Sequence, residues 1–170
     1  MSRYFHFILF ACGVLCCQAQ LPTTSTRLEA EYYVAAYARH YGVPIEFVRA
    51  IVERESGWHV CAMSHKGAVG LMQLMPSTAA RLRVRDRCNV RENVAGGVLY
   101  LAWLMRRFQG DLRLVAAGYF AGEDVVARHG LAYRNAEVVA YVSRIRASCR
   151  PQLADGRRGD PAPVRSRVIQ

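Results

Sequence analysis

Acid is scarce where it would matter most in this chain. Residues 56–85 contain no aspartate or glutamate, so Glu55 heads a long segment without a second carboxyl group. A carboxylate pair built from neighbouring residues is thereby excluded, and any partner acid has to arrive from a distant segment. Lysine is nearly missing as well. Lys66 is the only one, so the formal charge of +10 is carried by arginine. Such an excess suits a polyanionic partner without choosing which. Nucleic acid is disfavoured, because no nucleic-acid-binding motif accompanies the charge. No apolar run is long enough for a permanent membrane span: Phe5 to Leu15 falls short of the roughly 20 residues required. His59, Cys61 and His65 follow no zinc-ligand spacing, and no cofactor motif is visible, so neither a metal nor a cofactor is expected.

A hydrophobic content of 52% supplies enough apolar surface for one sizeable core. The N-terminus reads as a signal peptide over 1–19: Arg3, the apolar stretch, then Cys17-Gln18-Ala19 as a small-x-small cleavage site. The rival reading is a lipoprotein with Leu9-Phe10-Ala11-Cys12 as lipobox. Cleavage after Ala19 leaves no stable membrane anchor and implies a periplasmic location. It also removes Arg3 and three cysteines, which leaves Cys61, Cys88 and Cys149. Export permits disulfides, and an odd count leaves one thiol over. Cys61 and Cys88 flank the Gly70–Gln73 segment and are the preferred pair, with buried free thiols as the alternative.

Helical signals dominate from residue 20 to 149. Thr26-Arg27-Leu28-Glu29 has the capping-box pattern, followed by Leu28, Tyr32, Ala35, Ala36 and Tyr37 at helical spacing up to Gly42. Pro44 suits a first helical position, and Ile45, Val48, Ile51 and Val52 form a stripe leading to Glu55, with Gly57 as the stop. Glycines at 67 and 70 predict turns, with a small hairpin or extended piece over Val69 to Leu74. A short helix opens at Pro76. Asn89-Val90-Arg91-Glu92 reads as a second capping box, and Asp111 and Asn135 as caps of two further helices. The expected fold is mainly α, a single lobe with at most a small β element. The final residues, 150–170, gain Pro, Gly and charge, which predicts a disordered basic tail; the Arg158-Gly159-Asp160 triplet within it is a chance occurrence.

Glu55 closes an amphipathic helix and is followed by Trp58, Met63, Leu71, Met72, Leu74 and Met75. A carboxyl group among such neighbours is poorly solvated and retains its proton toward neutral pH, as a general acid must. The negative end of the helix dipole also resists its ionisation. Glu53, two positions earlier, points to another face and reads as a surface acid.

Four segments, in order, carry a resemblance. Glu55-Ser56 with Ser64, Gly67–Gln73 and Pro76–Ala79 come first, then Glu92–Gly97 with Tyr100-Leu101, then Tyr119–Gly122, then Glu137–Val142. Together they resemble lytic transglycosylases of the soluble lytic murein transglycosylase type, with a goose-lysozyme-like fold. The resemblance implies cleavage of peptidoglycan glycan strands, between N-acetylmuramic acid and N-acetylglucosamine, to 1,6-anhydromuramyl ends. Glu55 would be acid and then base. Gln73 would offer its amide to sugar, Met72 an apolar wall or plain core packing, and Ser56 and Ser64 positions near the acid. Tyr119 would contact the catalytic carboxyl and Tyr141 would lie at the cleft, each with a core tyrosine as the alternative. The chain departs from the family at Phe120, where an asparagine is usual. By analogy with small enzymes of this kind, the partners would be secretion, pilus or conjugation assemblies. A lysozyme-type hydrolase and a non-catalytic peptidoglycan-binding module remain the competing functions.

Overall fold

The computed structural model describes residues 24–130 and 135–149; the leader, its Cys12 alternative and the tail at 150–170 lie outside them. The described residues form seven helices: α1 (Thr24–Tyr41), α2 (Ile45–Ser56), α3 (Pro76–Arg81), α4 (Val90–Arg107), α5 (Leu112–Ala121), α6 (Glu123–His129) and α7 (Ala136–Ser148). Extended structure is confined to two isolated antiparallel bridges, Met63 with Val69 and Val69 with Leu74. The lobe is therefore mainly α. None of the described helices is long and apolar enough to cross a membrane.

Pairwise packing closes a ring: α1 on α4, α4 on α5, α5 on α7, α7 on α2, and α2 back on α1. Val34, Ile51, Val52, Val94, Val98, Leu101, Val115 and Ile145 meet inside it, all fully or almost fully buried. Each contributes roughly 1.5–3 kcal/mol relative to an exposed side chain. The ring determines where the functional end lies, because the last turn of α2 faces α7 across it.

Helix α1 corrects the expected stripe. Its buried face is Ala30, Val34 and Ala38, whereas Leu28 and Tyr32 are 66% and 67% exposed. This helix has apolar residues on several faces, so spacing alone fits more than one stripe. Packing selects the small side chains, which let α1 approach α4 closely. Tyr33, Tyr37 and Tyr41 then line one edge as a ladder of stacked rings, 6.1 and 6.3 Å between centroids. The helix also starts at Thr24, so Thr26 lies inside its first turn and is not its cap.

Three other starts differ in detail. Pro44 stands just before α2, in the N-cap position. Asn89 caps α4 by accepting the Glu92 N–H at 3.0 Å, but the Glu92 carboxylate does not complete a capping box. It accepts instead from the Arg85 and Asp86 N–H groups, at 2.8 and 3.1 Å, and so ties the turn before the helix. Helix α6 was not expected, although Glu123 and Asp124 in its first turn and Arg128 in its last complement the helix dipole. Asp111 and Asn135 cap α5 and α7 with their side chains.

Candidate active site

Glu55 occupies the penultimate position of α2, which ends at Gly57 in the left-handed conformation. Its neighbours on the helix divide by direction: Glu53 and Arg54 are exposed, Val52 and Ser56 are buried, and Glu55 is half-buried. From α7 the Tyr141 hydroxyl donates to Glu55 Oε1 at 2.5 Å. Burial pushes the Glu55 carboxyl above the ordinary glutamate range, against the opposing effects of the Tyr141 hydrogen bond and the Arg54 charge. Tyr141 is itself 3% exposed. Burial, together with the adjacent Glu55 charge, pushes its phenol well above the usual range, so the tyrosine remains a donor.

The loop between α2 and α3 forms the wall beside this pair, and its main chain is tied down from three sides. From α4, Asn93 accepts the Met72 N–H at 2.8 Å and donates to the carbonyls of Val69 and Arg87 at 3.1 and 2.8 Å. From the segment before α4, Arg87 donates to the carbonyls of Gly67 and Leu74, at 2.7 and 3.1 Å. Next to it Cys88 is joined to Cys61 by a disulfide. From α5, the Tyr119 hydroxyl donates to the Met72 carbonyl at 2.6 Å.

Close approach of the loop to α4 explains Gly97. A Cβ there would collide with the Met72 side chain, so a glycine inside a helix, which costs about 1 kcal/mol relative to alanine, permits the contact. Gly70, at φ +90°, lies equally close to Asn93 and the Arg87 carbonyl.

The expected sugar contacts have the following places in this arrangement. Ser56 is buried, and its hydroxyl donates to the Val52 carbonyl and accepts the Trp58 N–H, both at 3.1 Å. It finishes α2 and faces no cleft. The Met72 side chain is fully buried and is core, not wall. Gln73 turns its amide nitrogen inward onto the carbonyls of Ala62 and Gly70, at 2.9 and 3.0 Å, so that donor holds the loop. Tyr119 bonds the Met72 carbonyl and not the carboxyl; the hydroxyl that reaches Glu55 is that of Tyr141. Ser64 is half-exposed and accepts the Ala68 N–H at 3.0 Å, closing the turn at 64–68.

Asn93 and Arg87 were missed as supporting residues. Asn93 had a legible signal, since it is an amide on the α4 stripe of Val90, Gly97 and Leu104, which is otherwise apolar; Arg87 had none.

The family model described as "Transglycosylase SLT domain" matches residues 32–140. Membrane-bound lytic murein transglycosylase F of Desulfosudis oleivorans is 39% identical over 71 residues, 42% of this chain and 16% of that protein. The transglycosylase of Enterobacteria phage PRD1 is 33% identical over 91 residues, 54% of this chain and 34% of that protein. The chain thus spans between about a sixth and a third of these two relatives. Among solved structures, the 70 kDa soluble lytic transglycosylase of Escherichia coli superposes with a TM-score of 0.64 at 24% identity, covering 76% of this chain and 24% of that one. That likeness shows a common lysozyme-like fold.

Proposed function

This chain belongs to the transglycosylase SLT domain family, and from that premise we propose that it is a murein lytic transglycosylase with Glu55 as its catalytic group. The observation that carries the reading is a carboxyl group at the end of α2 with a buried tyrosine hydroxyl fixed on it, its pKa raised by burial. Among the described residues, the charge acting on Glu55 is that of Arg54, and no second carboxylate joins it. One acid therefore has to serve both halves of the reaction.

Glu55 gives its proton to the oxygen linking N-acetylmuramic acid to N-acetylglucosamine, and the bond from that oxygen to the muramyl C1 breaks. The muramyl 6-hydroxyl then adds to C1 while the Glu55 carboxylate takes its proton. The enzyme is returned with Glu55 protonated, and the product is a 1,6-anhydromuramyl end. The Tyr141 hydroxyl stabilises the carboxylate that exists between the two transfers. Cleavage of the leader after Ala19, a catalytic domain over 20–149 and periplasmic work in local wall remodelling or at a secretion or conjugation assembly complete the proposal.

Glu55→Gln tests it, because an amide retains the shape and the acceptor for Tyr141 but has no proton to give. Clearing of a murein gel should fall by about a thousandfold or more, and mass analysis of wild-type digests should show anhydro ends. Reducing ends would replace the transglycosylase by a hydrolase, and undiminished clearing by the variant would remove Glu55 from the chemistry. Stability offers an independent check. With the native pKa raised, the folded state binds more protons than the unfolded one, so wild-type stability falls as pH rises from the ordinary glutamate range through the native value. Glu55→Gln should be the more stable protein above that window and gain nothing below it.

A further inference from the structure

We propose that Phe120 forms a sugar-stacking subsite beside Glu55, with Tyr141 as its backing, so that a pyranose ring of the glycan lies against the outer face of Phe120. This rests on the reading of the chain as a protein that acts on glycan. Phe120 is 43% exposed, an unusual state for a phenyl group next to a buried site. It is not a loose surface ring, however. Its plane is stacked on Tyr141 with 4.6 Å between centroids and 24° between planes. A phenyl ring has two faces, and a near-parallel partner at that distance covers one, so the exposed area belongs to the other face and the rim.

The backing ring sets the location. Tyr141 is buried and bonds Glu55, so the outer face of Phe120 lies one aromatic ring and one hydroxyl away from the reacting carboxyl. Helix α5 presents two neighbours in opposite duties: Tyr119 points inward to hold the Met72 carbonyl, and Phe120, about 100° further round the helix, points outward.

The chemistry of the ligand follows from what a phenyl ring can offer. It has no donor and no acceptor, so it cannot select a hydroxyl, a carboxylate or a phosphate. Its flat face carries negative π charge, and the axial C–H face of a pyranose is flat, apolar and weakly positive. Because Tyr141 already fixes the ring, little conformational freedom is lost when a sugar settles on it.

The test separates binding from turnover. In a Glu55→Gln background, N-acetylglucosamine tetrasaccharide is titrated calorimetrically into proteins carrying Phe120, Phe120→Ala or Phe120→Trp, after thermal melts have shown that each is folded. Withdrawing one ring face, on the order of 50 Å², from water makes the alanine variant bind about tenfold more weakly, and the indole restores binding. With Glu55 intact, Phe120→Ala raises KM and leaves kcat nearly unchanged.

Equal affinity of the Phe120 and alanine proteins overturns the proposal, as does a loss of kcat at constant KM, which would make Phe120 a prop for Tyr141 alone. Absence of tetrasaccharide binding to every protein overturns it too. The catalytic reading fails separately, if the wild type releases no anhydro products while Phe120-dependent binding persists.

Discussion

Tyr141→Phe isolates the hydroxyl that meets Glu55 and leaves the rest of its surroundings in place. The phenyl ring that remains still fills the same buried volume and still stacks against Phe120. Only the 2.5 Å hydrogen bond is lost. Such a bond contributes about 1.5–3 kcal/mol when its acceptor is an ionised carboxylate, and about 0.5–1.5 kcal/mol when the acceptor is neutral. The difference, roughly 1–1.5 kcal/mol, favours the ionised form and corresponds to a factor of about ten in the protonated-to-ionised ratio.

Removing the hydroxyl therefore leaves burial opposed by Arg54 alone and drives the Glu55 pKa further up. The first proton transfer requires protonated Glu55, so the alkaline limb of kcat/KM for muropeptide release moves to higher pH in the variant. The plateau falls, because the carboxylate formed between the two transfers has lost its donor. Carboxyl-carbon NMR of Glu55 follows the same titration without relying on turnover. An alkaline limb that stays in place or moves to lower pH would refute the assignment of Tyr141 as the group that offsets burial at Glu55.

The supporting shell yields two further tests. Asn93→Ala removes the side-chain partner of the Met72 N–H and the Arg87 carbonyl, groups that cost about 1–3 kcal/mol each when buried without a partner, and leaves the Val69 carbonyl with the Leu74 N–H alone. A loss of about 3–5 kcal/mol in a urea melt is expected, and a loss below about 1 kcal/mol would mean that the loop does not depend on this amide. Cys88→Ser opens a covalent loop with a sequence separation of 27, which the chain-entropy relation values at about 3.5 kcal/mol. The variant should melt where the reduced wild type melts and should be indifferent to reductant; a wild type equally indifferent would contradict the pairing.

How much of this was legible in the sequence depended on whether a residue acts through its own local pattern. The helix from Ile45 to Glu55 and the caps at Asp111 and Asn135 could be read because periodicity and capping are decided within a few residues. The buried face of α1 could not, since Leu28 and Tyr32 satisfy the same period as Ala30, Val34 and Ala38. The close contact with α4 chose between them. Arg87 was illegible for a related reason. Its partners are carbonyls at Gly67 and Leu74, and every residue of the chain offers the same carbonyl.

That last point bears on the polar residues around the acid. Ser56, Gln73 and Tyr119 are polar residues near the acid, and polarity alone suggests that they face substrate. Yet the loop from Gly57 to Met75 forms only two isolated bridges, and turn-type main-chain bonds reach only part of its backbone groups. Ser56, Gln73, Tyr119, Asn93 and Arg87 add side-chain bonds to that partial frame. A wall made of irregular main chain has to consume nearby polar side chains to remain rigid. In the proposed reading, a sugar then meets groups which that task leaves unused: the carboxyl of Glu55 and an apolar ring, Phe120, which could not have helped to hold the loop at all.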